Sequence, residues 1–436
     1  MKFFSPAIRN QINLFSLPPT NTTVDFSLYA EYPPIVPVPD SHAKLEFKIE
    51  GNANQYLDLD DSFLYLRVKV VNSDGSDLKD GAEIGTTNLF MHSLFSQCDV
   101  SIKNKLVSTS NNMYPYKAYL EYLLSFGEDY LDSQGKCPLF YLDDNNFDID
   151  DRNKRYKNRK ISISKSKPVE LIDKIRFDLA TQDRYILNDT DVLISLTRSR
   201  DAFSLCGKKW KDSSNTEHNP DASVKILEAS FFVRKQILYP SIVLAHQRFL
   251  ENGMKAKYPY KRTDVKYFVI PSGNQSVVEQ GLFISTIPTR VVIGFVANSA
   301  FAGEFTESPF KFQHYNISYL SLSINNLTTP IRPYRLDFKD NKYLLPYYNL
   351  FTTLGIAGRN SGIKITPNSF ASGYSLFAFD VNQANYSSDC LTLDKSGSVR
   401  LEIQFAEALK EAVACIVFSE HQTVLEIDKF RQSVLH

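Results

Sequence analysis

The sequence predicts an all-β chain: two tandem copies of one antiparallel β-sandwich module, with a few short helices. Three observations carry this prediction. Hydrophobicity alternates with a period of two along most of the chain after residue 40, as in Leu64, Leu66, Val68 and Val70 against Tyr65, Arg67 and Lys69. Phe and Tyr number 31 and 24, and both favour pleated, half-buried surfaces. A strand pattern also recurs 222 residues on, where Ser101-Ile102-Lys103-Asn104 is matched by Ser323-Ile324-Asn325-Asn326.

Taken from the start, residues 1–40 read as an extended arm, because Pro18-Pro19, Pro33-Pro34, Pro37 and Pro39 disfavour regular structure. Residues 41–240 form the first module, with strands at Leu64–Val70, Cys98–Ile102 and Val192–Leu196. Within it, 127–168 reads as a long insertion loop of the kind that tends to protrude or carry function. Tyr116, Tyr119, Leu120, Leu123 and Leu124 have helical spacing, and Gly127 stands where a C-terminal cap would be. Residues 241–260 read as a linker with a short helix opened by Ser241 as N-cap and closed at Gly253. Residues 261–436 form the second module. Its strands include Val291–Ala297, Leu320–Ile324, Val399–Phe405 and Ala412–Phe418, and a helix near Pro346 ends at Gly355. The repeat extends to Leu66–Asn72 against Arg290–Asn298, and to the aromatic-rich helix that follows each matched strand.

Charge and chemistry narrow the function. Lys plus Arg and Asp plus Glu both number 49, so the net charge is zero, which argues against a general polyelectrolyte binder and leaves little repulsion between like copies. No run of 18 apolar residues is present, so no membrane insertion is expected. Pro6 and Arg9 interrupt any signal-peptide core, and the chain is expected to be made in the cytoplasm and not secreted. The cysteines Cys98, Cys137, Cys206, Cys390 and Cys415 contain no CxxC pair and read as free thiols.

No catalytic, cofactor-binding or metal-binding residues are assigned. None of the seven histidines begins HxH, HxD, HxE or HExxH, and the GxSxG, GxxxxGK[ST] and GxGxxG signatures are missing. The acidic cluster Asp143, Asp144, Asp148, Asp150 and Asp151 departs from a Ca²⁺ loop, with Asp148 where glycine is required, and reads as a solvated loop. The basic run Arg152, Lys154, Arg155, Lys157, Arg159, Lys160, Lys165 and Lys167 around Tyr156 has the chemistry of a non-specific phosphate contact, but an exposed charged loop or subunit contact is the better reading. His246 reads as a surface histidine and Trp210 as a loop or rim anchor.

The segment Thr289–Gly355 carries a family resemblance. Thr289-Arg290-Val291-Val292-Ile293-Gly294-Phe295-Val296 leads to Asn298, Ala300-Phe301 and Gly303, then to Ser308-Pro309-Phe310-Lys311-Phe312 and His314. Leu320–Asn326, Pro330, Asp337-Phe338, Tyr343, Tyr347 and Leu350-Phe351 follow. This resembles the second jelly roll of the major capsid proteins of Polinton/Maverick elements and adintoviruses. Leu57–Asn72, Asn88–Asn104 and Tyr114–Gly127 resemble the first, and Ser308 stands where the family has Asn. The resemblance implies a double jelly roll of two eight-stranded sandwiches, no active site, and three copies forming a pseudo-hexameric capsomer. It implies a place in the virion capsid and contacts with itself, with penton and minor capsid proteins, and non-specifically with packaged DNA. The alternative is a domesticated capsid-derived chain or a lectin-like β-sandwich binding module.

Overall fold

The computed structural model describes the chain apart from residues 1–9, 13, 16, 18–19, 39–43, 145–146, 212–216, 219, 284–285, 326, 360–361, 382–390, 392–394 and 436, and the side chains of 10, 210–211, 217–218 and 330–331. Eight strands build the first roll: β1 (Val24–Tyr32), β2 (Leu45–Ile49), β3 (Gln55–Asn72), β4 (Phe95–Ile102), β5 (Lys105–Leu106), β6 (Val169–Asp173), β7 (Val192–Arg198) and β8 (Ala222–Leu238). Eight more build the second: β9 (Ala256–Ile270), β10 (Ser276–Gln280), β11 (Arg290–Ala297), β12 (Ile317–Ile324), β13 (Leu327–Arg335), β14 (Leu376–Asp380), β15 (Val399–Phe405) and β16 (Val413–Ile427).

The sheets of the first roll run β1-β8-β3-β6 and β2-β7-β4-β5, with neighbours antiparallel. The second roll repeats both orders shifted by eight, β9-β16-β11-β14 and β10-β15-β12-β13. This is a jelly roll twice over, and the expected all-β fold of two eight-stranded sandwiches is what the chain adopts. The repeat detected at 222 residues relates β4 to β12, and Leu66–Asn72 and Arg290–Ala297 occupy the equivalent strands β3 and β11, with Asn298 opening the short helix that follows.

Inner-face residues of the two sheets meet in each roll. Phe47 of β2 faces Phe231 of β8 with ring centroids 5.9 Å apart, and Phe295 of β11 faces Phe405 of β15 at 6.4 Å. The alternation therefore reports burial: Val399, Leu401, Ile403 and Phe405 are buried while Arg400 and Gln404 are exposed. Removing these faces from water is the main term stabilising each sandwich.

Helices join the strands. α1 (Tyr114–Ser125) and α4 (Leu344–Leu354) occupy the same connection, between the fifth and sixth strand of each roll. α2 (Lys154–Ser162) lies in the 127–168 insertion, and α3 (Pro240–Glu251) links the rolls. Gly355 caps α4 with a left-handed φ of 72°.

Several expectations need correction. The arm assigned to 1–40 contains β1, which pairs with β8 from Val24 to Tyr32. The Pro pairs flank this strand without interrupting it. Gly127 does not cap α1: the cap is Phe126, in extended conformation, and Gly127 precedes the short helix Glu128–Asp132. Ser241 lies inside α3, which opens on Pro240 after Tyr239. The second roll begins at Ala256, inside the segment read as linker, and Pro259 is accommodated because β9 is an edge strand.

Candidate functional site: the joint between the rolls and the surfaces left bare

The described residues of the 127–168 insertion form a packed scaffold with its own helix, where a long loop that protrudes or carries function was expected. Asn153 caps α2 by accepting the N–H groups of Arg155 and Tyr156, and this turns the basic run into a helix whose Tyr156 and Arg159 point inward. The two charge clusters then neutralise each other. Arg159 Nη2 lies 2.8 Å from Asp143 Oδ1, both side chains being buried, and Asn153 Nδ2 donates to the same oxygen at 3.1 Å. Asp150 pairs with Arg152 at 2.8 Å and Lys208 at 2.9 Å, and these hydrogen bonds hold its carboxyl well below the usual range. Asp148 meets Arg152 at 3.6 Å, and Asp151 meets Lys160 and Lys157 at 3.7 and 3.8 Å. Asp144 accepts the Lys154 N–H at 3.2 Å. The acidic oxygens that a Ca²⁺ ion would use are thus met by cations and N–H groups of the same insertion, and Arg159 is structural.

The joint itself is aromatic. Phe310, in the connection between β11 and β12, stacks on Tyr119 of α1 at 4.1 Å, with planes 1° apart. Tyr116 of α1 meets Phe301 at 5.7 Å and Phe310 edge-on at 5.6 Å. Hydrogen bonds extend the seam: Asn111 Nδ2 donates to Asp264 Oδ1 at 3.0 Å and to the Val265 carbonyl at 2.7 Å, and Tyr374 Oη donates to the Asp143 carbonyl at 2.8 Å. At one end Arg431 donates twice to Asn188, at 2.7 and 2.9 Å. Phe310 and Phe312 are both buried, and Phe310 belongs to the joint and not to the interior of one sandwich.

A buried polar cluster went unforeseen. His92 Nε2 is 2.7 Å from Asp173 Oδ2, and its Nδ1 is 2.7 Å from the Tyr114 hydroxyl. Tyr122 Oη also donates to Asp173, and Arg176 Nη2 is 3.8 Å away. Burial pushes the Asp173 carboxyl up, but His92, Arg176 and Tyr122 together bring it below its ordinary value. Burial pushes Tyr114 well above its ordinary value, so its hydroxyl stays neutral at physiological pH. The cluster ties α1 to β6. A signal for it was present: Phe90-Met91-His92 and Phe312-Gln313-His314 repeat at the same 222-residue offset. In the second roll His314 stacks on Phe338 at 3.9 Å, and Phe338 on Tyr343 at 5.2 Å. Burial pushes the imidazole of His314 down to about 4.

Other sequence-singled residues are simply placed. His246 accepts or donates at Nδ1 to Tyr56 Oη, 2.9 Å away, and so has a partner that its surface reading did not anticipate. Cys98, Cys206 and Cys415 are buried and Cys137 is exposed, while Cys390 and the Trp210 side chain fall outside the described residues. Among the described residues no group of three or more His, Cys, Asp and Glu could hold a metal ion. No helix there is long and apolar enough to cross a membrane. Between α1 and β9, a cavity of ≈ 30 Å³ has Cys98, Lys117 and Asp178 in its lining, which is about the volume of one water and too small for a substrate.

No family model matches the chain. In sequence, it is 24% identical over 413 residues to the uncharacterized Caenorhabditis elegans protein F54H12.2, covering 89% of this chain and 92% of that one. In structure, it is similar to a chain of the Sputnik virophage, with a TM-score of 0.66 at 9% identity over 100% of this chain and 93% of that one. It is also similar to the Faustovirus major capsid protein (TM-score 0.56, 8% identity, 95% and 93% covered) and to the mavirus major capsid protein (0.53, 11%, 100% and 96%). The chain is a double jelly roll. Two of these neighbours are named as major capsid proteins, and coverage of 95% and 100% of this chain takes the match through both rolls.

Proposed function

We propose that the chain is a major capsid protein of the Polinton/Maverick and adintovirus type, a structural and non-enzymatic subunit that forms pseudo-hexameric homotrimers and tiles an icosahedral shell. The observation that carries this reading is the repeated strand order, two jelly rolls of the same connectivity fused side by side through one joint. A duplicated chain of this kind offers six similar edges when three copies close around a threefold axis, which suits hexagonal packing. Jelly rolls leave loops at two ends and sheets along the sides, so one end can face outwards while the sides pack neighbours. The joint supports the role physically, because aromatic stacking and paired buried charges make the two rolls one rigid tile.

In this reading the protein is made in the host cytoplasm and ends in the virion capsid, where it contacts itself, penton and minor capsid proteins. The basic run is open to packaged DNA only in part, because Arg159, Lys160 and Arg152 are engaged with carboxylates of the fold. A second reading, a capsid-derived chain retained by a host, is favoured by the nematode relative, which spans 92% of its own length in the match. Electron microscopy of the expressed, concentrated protein separates the two. Shells or hexagonal arrays support the capsid reading, and a soluble species that never forms arrays supports the domesticated one.

A further inference from the structure

Because the two rolls are copies, each surface used inside the chain has a counterpart elsewhere on it. α1 of the first roll is covered on nearly all sides, since it is wedged between its own sandwich and the outer face of the β9-β16-β11-β14 sheet. On that face Val292, Val296, Ala414, Ile416 and Phe418 are all buried, under Phe312, Phe310 and α1.

The counterparts are more open to solvent. α4 packs one side against its own roll through Pro346, Leu350 and Thr353. Its other side presents Leu344, Leu345 (64% exposed) and Tyr348 (62%), an uncharged stripe. On the first roll, the outer face of β1-β8-β3-β6 carries Tyr29 (52% exposed) and the half-buried stacked pair Phe63 and Phe232, 5.0 Å apart, with Tyr29 5.7 Å from Phe63 and the Arg234–Asp61 ion pair at its edge. This sheet corresponds strand for strand to the one that α1 covers.

We propose that α4 of one copy seats its Leu344, Leu345 and Tyr348 stripe on the Tyr29, Phe63 and Phe232 patch of a second copy, reproducing between chains the contact that α1 makes within one. The contact is heterologous, one surface of each kind per chain, so it propagates head to tail and closes into a ring when the steps complete a turn. It deepens the capsomer reading and rests on it for the number of chains in the ring.

The test is the solution mass of the full chain by light scattering after size exclusion, with melting curves to confirm folding. Wild type should run at three times 49.7 kDa. Leu345→Asp on the helix and Phe63→Asp on the sheet should each reduce the mass threefold, because each buries a charge in the same contact. Tyr348→Asp serves if either fails to fold, and Leu327→Asp, equally apolar and exposed but on β13, should stay at the wild-type mass. Trimers that persist in both interface variants overturn this contact and leave the capsomer reading standing. A wild type that is monomeric at every concentration overturns both, and dissociation by Leu327→Asp to the same degree overturns the assignment to these two surfaces.

Discussion

Phe310 lies flat on Tyr119, 4.1 Å between ring centroids, although 191 positions separate them and each belongs to a different roll. The pair is fully buried, and it marks where two sandwiches that could each close on their own become one body.

Truncating Phe310 should therefore loosen the joint before it unfolds either roll. Phe310→Ala is expected to cost about 3–5 kcal/mol, the range for a buried Phe. Calorimetry should show either a lower single transition or its division into two. A melting curve identical to wild type would remove Phe310 from the joint.

The Asp143–Arg159 pair predicts an asymmetry. Asp143→Ala leaves the Arg159 guanidinium buried without a partner and should destabilise by about 3–5 kcal/mol, whereas Asp143→Leu with Arg159→Met should cost much less. Urea denaturation of the three chains measures this. If the double variant is as unstable as the single, the pair contributes by its own attraction and not by avoiding an orphaned charge.

Glu121 sets a pH dependence. Its side chain is partly buried beside α1's Lys117, 3.8 Å away, and burial pushes its carboxyl up to about 7. The folded chain then keeps a proton that the unfolded chain releases near its ordinary value. Stability on this account is fully present below about pH 4.5 and falls as pH rises towards 7, then levels off, with a total on the order of 3 kcal/mol. Glu121→Gln should raise the melting temperature at pH 8 and leave it unchanged at pH 4. Equal shifts at both pH values would contradict the assignment.

Gly294 has a steric role. A Cβ added there would meet Phe312 Cε1 and Leu376 Cδ2 at 2.9 Å, so Gly294→Ala should overpack the outer face of β11 and destabilise by about 1–3 kcal/mol. A stability equal to wild type would mean that Phe312 moves freely, contrary to its burial.

The amino-terminal deletion should divide at β1. Removing residues 1–20 should leave the melting temperature within a degree or two of wild type, while removing 1–40 strips β1 from β8 and should lower it strongly. Similar stability of the two deletions would place β1 outside the cooperative unit.

By itself the sequence determined the fold class, the duplication and the main strands and helices, because these leave local signatures. Alternation with a period of two tells which residues face inward, as at Val399–Phe405, and helical spacing with glycine punctuation does the same for α4. It also held the Phe90/His92 and Phe312/His314 repeat, legible once the offset is known. What only the tertiary structure decided is what each buried face is buried against. β1 looked like an arm because its partner β8 lies some 200 residues away, and a strand bracketed by prolines reveals nothing of a distant partner. The acidic and basic runs looked like two solvated features until α2 folded them onto each other and took Arg159 inside. The surfaces proposed for assembly, Leu345 and Tyr348 on one side and Tyr29, Phe63 and Phe232 on the other, became visible only by comparing exposure between equivalent elements. Apolar pattern is the same whether the covering surface is in the chain or in its neighbour, and burial is a property of the packed body.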